Sequence, residues 1–321
     1  MTDEAKRAMV APELLGGLEF FPELDLSRLQ ELYRNADMRR PAMPIPPELA
    51  VVQVESRMIP GAPGDPEVKI VMFTPPGTPR APRPAALHIH GGGFVLGDAE
   101  SFSGICRMTA LQHDCLIISV DYRLAPETPW PGALHDCYAA LCWLHDHAED
   151  LGIDPARIAV MGESAGGGHA AALALHARDQ GGPAICHMML DAPMLDDRTG
   201  TSHDPHPHCG HFVWTPERNR FGWAALLGME PGGPDVPAEA VPARAADLSG
   251  LPPSFISVGA LDLFLEEDLE WTRRLARAGV PVELHVIAGA YHGFGAAADA
   301  PQARQVHALR KAALDRAFAR S

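Results

Sequence analysis

Gly162-Glu163-Ser164-Ala165-Gly166 is the stretch of this chain whose residue types and spacing point most directly to chemistry. A serine hydroxyl is a weak nucleophile until its backbone lifts it clear and a nearby base takes its proton. Arg157 to Met161 reads as a short buried strand, and Ala165 to Arg178 as an Ala-rich helix. A G-x-S-x-G segment between strand and helix is the nucleophile-elbow pattern. Gly162, Gly166 and Gly167 supply the small residues that such a corner needs. Ser164 then lies at a helix N-terminus, where free N–H groups and the helix dipole favour developing negative charge.

A second segment suits the same chemistry. His90-Gly91-Gly92-Gly93 follows an apolar run from Pro84 that reads as a strand. Glycines after a strand leave backbone N–H groups bare, able to hydrogen-bond an oxyanion. In the HGGG type of loop they act with the N–H of the residue after the nucleophile. Gly91, Gly92 and Ala165 are therefore the candidate oxyanion donors, each worth roughly 3–4 kcal/mol when tested by removal. A Walker loop is excluded, because Phe94-Val95-Leu96 follows instead of Gly-Lys-Ser/Thr.

On an elbow of this type the acid and the histidine follow the serine in that order. Ser254 to Gly259 is apolar and β-prone, and Asp262 comes just past it. Val282 to Ile287 reads as a further strand, and His292 comes just past that one. Ligands of open α/β sheets bind outside the carboxyl ends of the strands. Ser164, His292 and Asp262 at three such ends could act as nucleophile, base and orienting acid. The competing acids Glu266, Glu267 and Asp268 open a helix and read as dipole partners. The competing histidines, His285 and His307, read as lying within a strand and on the last helix.

These segments together resemble the hormone-sensitive-lipase-like (bacterial family IV) carboxylesterases of the α/β-hydrolase superfamily. The resemblance rests on His90-Gly-Gly-Gly93, Asp121-Tyr-Arg-Leu-Ala-Pro-Glu127, Gly162-Glu-Ser-Ala-Gly-Gly167, Asp262 in Gly-Ala-Leu-Asp-Leu, and His292-Gly-Phe294. It covers about residues 84–295. It implies an acyl-enzyme esterase for short- to medium-chain acyl esters that needs no cofactor, and a homodimer through the last strand and helix fits it. One departure stands out: many members carry Asp before the serine, and this chain carries Glu163. Asp121, Arg123 and Glu127 read as a structural polar network near the site, since they pair no attacking group with a base. An amidase or lactonase on the same three residues, and a binding protein built on a silent hydrolase, are the rival readings.

The 321 residues are 46% apolar, enough for one α/β domain with a sizeable core and a cap. A net charge of −15 argues against nucleic acid and anionic membrane surfaces as partners. No apolar run is long enough to span a membrane, and the N-terminus does not read as a secretory signal, so a cytoplasmic location is expected. The six cysteines lack C-x-x-C spacing and read as reduced thiols. Strands are expected near 51–59, 67–74, 84–90, 115–121, 157–162, 185–190, 254–259 and 282–287. The expected fold is therefore an α/β hydrolase: a mostly parallel sheet of about eight strands, helices on both faces, and a helical cap. Residues 51–193 and 249–321 form the core, and 1–50 with 194–248 the cap. Within 1–50, Ser27 to Gln30 resembles a capping box with Leu32, Tyr33 and Ala36 on one face. Phe20, Phe21, Phe212, Trp214 and Trp223 could line the pocket or form cap core. His203, His206, His208, Cys209 and His211 crowd one cap segment, but their spacing matches no standard zinc pattern, and no metal is expected.

Overall fold

A computed structural model describes residues 1–21, 45–78 and 81–319. The capping-box segment around 27–36 lies outside the described residues. Among the described residues eight strands form one sheet: β1 (Gln53–Ile59), β2 (Val68–Thr74), β3 (Arg83–Ile89), β4 (Leu116–Asp121), β5 (Ile153–Glu163), β6 (His187–Asp191), β7 (Ser254–Gly259) and β8 (Val282–Ile287). Their order across the sheet is β1-β2-β4-β3-β5-β6-β7-β8. β2 runs antiparallel to both neighbours, and the remaining pairs are parallel.

The central strands are continuous apolar runs because both of their faces are covered. The longer helices are α1 (Ser103–His113), α2 (Gly132–Asp146), α3 (Ala165–Asp179), α4 (Pro216–Leu227), α5 (Leu265–Arg277) and α6 (Pro301–Phe318). Alternate strand residues face alternate layers. Leu87, Ile118 and Val160 meet Leu141 of α2, Leu173 of α3 and Trp271 of α5 on one face. Ala86, Ile117, Met161 and Phe255 meet Cys106 of α1 and Leu314 of α6 on the other. Each large apolar side chain buried this way contributes about 1.5–3 kcal/mol.

β5 begins four residues earlier than its apolar run suggests. Ile153 pairs with Arg83, and the polar stretch between is held by an Arg157–Asp154 ion pair at 2.8 Å. Before β1 the chain forms a short helix (Asp3–Arg7) and a 3-10 segment (Pro12–Phe20). The 3-10 segment joins a cluster in which Val10 and Leu14 meet Leu261, Ile287 and Tyr291. The 194–248 stretch gathers over the sheet end around Trp214, Trp223 and Leu226, against Phe94, Ala165 and Phe264. No helix of the described residues is long and apolar enough to cross a membrane.

Candidate active site

The chain turns from β5 into α3 within one residue. Ser164 takes φ 55° and ψ −121°, a conformation that costs a non-glycine residue about 1–3 kcal/mol and persists only where its surroundings enforce it. The surroundings do so through the main chain. Ser164 N–H donates to the Asp191 carbonyl (2.8 Å), and its own carbonyl accepts from Gly168 and Met194 (both 3.0 Å). A Cβ on Gly166 would lie 2.0 Å from the Ile89 carbonyl, so α3 can reach the end of β3 only with glycine there.

β7 and β8 lie beyond β6 in the sheet and deliver the other two groups. Asp262 and His292 are both buried. His292 Nδ1 donates to Asp262 Oδ2 at 2.8 Å, which leaves Nε2 as the acceptor facing Ser164 Oγ at 2.9 Å. The other carboxylate oxygen of Asp262 accepts from Phe264 N–H at 3.0 Å, which fixes the plane of the carboxylate. The Phe264 ring stands edge-on to the imidazole, with centroids 5.2 Å apart. The structure thus joins Ser164, His292 and Asp262 in one hydrogen-bonded chain.

The glycine loop lies beside this chain. A Cβ on Gly91 would come within 2.8 Å of the Glu163 carbonyl and 3.4 Å of Ser164 Cβ, so loop and corner are in contact. Gly92, at φ 135°, takes a conformation reserved for glycine, and its carbonyl accepts from Val95 and Leu96. Ala165 opens α3, where first-turn N–H groups have no partner within the helix. His90 stacks on Tyr122 at 4.2 Å, and Tyr122 donates to the His90 carbonyl at 2.8 Å. Burial holds the His90 imidazole down at about 4, so it is neutral at ordinary pH.

The competing residues have other partners. Glu267 is buried and accepts from Leu195 N–H (2.7 Å) and from Thr199; burial raises its pKa well above the usual range. Asp268 is also buried, with its pKa raised first by burial and then by Glu267 and Asp262. These two are therefore not solvated dipole partners, as their helix position suggests. Packing of α5 under residues 195–199 decides that, and no local signal announces it. His285 pairs with Glu283, and His307 with Gln112. Arg123 pairs with Asp136 and Asp65, and Asp121 caps Ala99, while Glu127 lies exposed, outside that network.

Of the five aromatic candidates, Trp223 is fully buried against Phe94 and belongs to the core of the 194–248 stretch. Trp214 reaches the site, its ring centroid 6.3 Å from that of His292. A Cβ on Gly93 would meet the Trp214 ring at 2.1 Å. Phe212 contacts Tyr291, Phe21 lies over Gly293, and Phe20 is exposed. The six cysteines form no disulfide. The Cys209 thiol is pushed up to about 11 by burial and by Asp262 and Glu266. His206 Nδ1 lies 3.6 Å from Cys209 Sγ, and His211 donates to the Pro207 carbonyl. Among the described residues, no three His, Cys, Asp or Glu side chains are grouped to hold a metal ion.

A parallel-centred sheet with a serine corner, an acid after β7 and a histidine after β8 defines the α/β-hydrolase class. The family model described as "alpha/beta hydrolase fold" matches residues 86–296. Esterase LipI of Mycobacterium tuberculosis is 37% identical over 295 residues, covering 90% of this chain and 89% of its own. Carboxylesterase NlhH of the same species is 35% identical over 281 residues, covering 85% of this chain and 86% of its own. The solved structure of a bacterial heroin esterase superposes with a TM-score of 0.89 at 40% identity, covering 98% of this chain and 99% of that one. Esterase LipW from Mycobacterium marinum superposes with a TM-score of 0.81 at 30% identity, covering 98% of this chain and 97% of that one. The chain belongs to the hormone-sensitive-lipase-like carboxylesterases of the α/β-hydrolase superfamily.

Proposed function

We propose that this carboxylesterase works through Ser164, with His292 as general base and Asp262 as its orienting acid, on short- to medium-chain acyl esters. The hydrogen-bonded chain from Ser164 Oγ through His292 to Asp262 Oδ2 carries the reading. As Ser164 Oγ attacks the ester carbonyl, His292 Nε2 takes its proton, and Asp262 stabilises the imidazolium. The carbonyl oxygen becomes an oxyanion, held by N–H groups of Gly91, Gly92 and Ala165. His292 returns the proton to the departing alcohol, leaving an acyl-Ser164 ester. Water, deprotonated by the same imidazole, then releases the carboxylic acid and restores the serine. No cofactor enters these steps.

The N-terminal residues and 194–248 act as a cap over this site. Trp214, seated on Gly93 beside His292, supports a pocket that is short on that side. The test is hydrolysis of p-nitrophenyl esters from acetate to laurate, with Ser164→Ala alongside. Turnover that peaks among the short chains and is lost in the variant is the expected result. Activity that survives in Ser164→Ala would overturn the serine reading, and a maximum at laurate would overturn the short acyl pocket.

A further inference from the structure

Just below the site, a row of polar side chains crosses five adjacent strands on the sheet face covered by α1 and α6. Ser119 of β4 is in register with His88 of β3, Glu163 of β5 with Asp191 of β6, and Asp191 with Ser257 of β7. His88 bridges the first two strands to the third: its Nδ1 lies 2.9 Å from Ser119 Oγ and its Nε2 3.1 Å from Glu163 Oε2. Ser257 donates to Asp191. Arg310 of α6 closes the row, 2.5 Å from Asp191 Oδ2 and 3.7 Å from Glu163 Oε1. His88 and Arg310 therefore face the carboxyl groups of Glu163 and Asp191, with Lys69 and Asp121 paired farther along the same face; burial pushes the Asp191 carboxyl up, and Arg310 opposes it.

The strands that lead to the glycine loop, to Ser164 and to Asp262 are attached to this row, while β8, which leads to His292, is not. β3 continues from His88 into His90 and the glycine loop. β5 ends in Glu163, the residue before Ser164. The Asp191 carbonyl receives the Ser164 N–H, and β7 runs on from Ser257 to Asp262. The Glu163 carbonyl also lies directly under Gly91. Buried ion clusters add little stability over apolar residues of the same volume, because desolvation offsets their attraction. What such a cluster can add is a fixed geometry, and near reacting atoms a shift of about 1 Å can cost a hundredfold in rate.

We propose that His88, Glu163 and Arg310 are positioning residues, whose charged row sets the Ser164 corner and the glycine loop relative to each other. This rests on Ser164 being the nucleophile. Burial works against charge on Glu163, but His88 and Arg310 outweigh it and hold its carboxyl below the usual range. The row thus assigns a role to the Glu that replaces Asp in this chain.

The experiment compares Glu163→Gln, Glu163→Asp, Arg310→Met and Arg310→Lys in the full chain, with p-nitrophenyl butyrate as probe. Thermal melts check folding, and a fluorophosphonate counts reactive serines, so that kcat is expressed per competent site. Glu163→Gln and Arg310→Met should each lower kcat by about ten- to a hundredfold with KM within about twofold. The double variant should be no slower than the worse single one, because both break one unit. Glu163→Asp and Arg310→Lys, which keep the charges, should recover to within about threefold of the parent. A folded Glu163→Gln with parental kcat, a loss confined to KM, or losses that multiply in the double variant would each overturn the proposal. The Arg310 pair carries the same comparison from the rim of the row, where Lys keeps the charge, should Glu163→Gln not fold. Ser164→Ala separates the two readings: if it is inactive while Glu163→Gln is fully active, only the positioning role fails, and if it remains active both fall.

Discussion

The Ser164 corner and the His292 loop meet across 2.9 Å, yet the chain holds them by different means. Ser164 follows a central strand, and its own backbone angles are fixed by main chain against main chain, with a Cβ on Gly166 excluded by the Ile89 carbonyl; the charge row acts on how that corner meets the glycine loop. His292 follows β8, at the end of the strand order, where no strand of the described residues flanks it on the outer side. Its loop is braced by the N-terminal segment. Ala11 N–H donates to the Gly289 carbonyl at 3.0 Å, Tyr291 Oη–H donates to the Leu14 carbonyl at 2.9 Å, and Phe21 lies over Gly293. A position enforced by backbone contact admits few alternatives and fails all at once. A position braced by side chains from a distant segment loosens by degrees.

The largest effect expected on the histidine side comes from Asp262→Asn, which keeps the shape but no longer selects the imidazole tautomer. It should lower kcat by about ten-thousandfold in steady-state assays. Glu267→Gln should leave kcat per folded molecule near the parental value, because Glu267 holds residues 195–199 rather than His292. The reverse pattern would break the assignment of the acid. On the serine side, Gly166→Ala should cost more than about 3 kcal/mol, beyond ordinary overpacking, because the clash is with backbone. Loss of soluble folded protein, or a steep fall in Tm, is the readout. Leu14→Ala sharpens the contrast. It empties a fully buried site next to Tyr291 and should cost about 2–3 kcal/mol in chemical denaturation. The folded fraction should show a graded loss of kcat rather than its abolition.

The smallest effect is expected with pH, and on the serine side alone. His88 is pushed up to about 10: burial opposes its charge, but Cys106 of α1 and Glu163 of β5 outweigh it. His90, in the same layer, stays neutral and adds no competing charge. A raised folded-state value means that the stability His88 contributes is complete below about 6.5, its ordinary value, and is lost as pH rises through about 10. Tm followed from pH 8 to 11 should therefore fall more steeply near 10 in the parent than in Glu163→Gln.

Local patterns carried much of this architecture. β7 and β8 occupy the residues that their apolar runs mark, 254–259 and 282–287, because each is short and bounded by turn residues. The order serine, acid, histidine is legible because each of the three lies a few residues past such a run. The polar row is not. Its members sit on five strands whose spatial order differs from their chain order, so His88 meets Glu163 across 75 residues and Glu163 meets Arg310 from a helix still farther on. Glu267 was unreadable for a related reason, since an acid in a helix's first turn is usually solvated. The brace on His292 spans 277 residues from Leu14 to Tyr291, and nothing in the sequence near either residue points to the other.

Arg310 also has a consequence for the order in which the molecule is made. A ribosome releases Leu14, then Ser164, Asp262 and His292, and only afterwards the residue that completes the charge row. Until Arg310 is in place, Glu163 and Asp191, in register on β5 and β6, lack the guanidinium that faces both in the folded chain. On the proposed role of the row, full turnover waits until α6 has docked on the sheet.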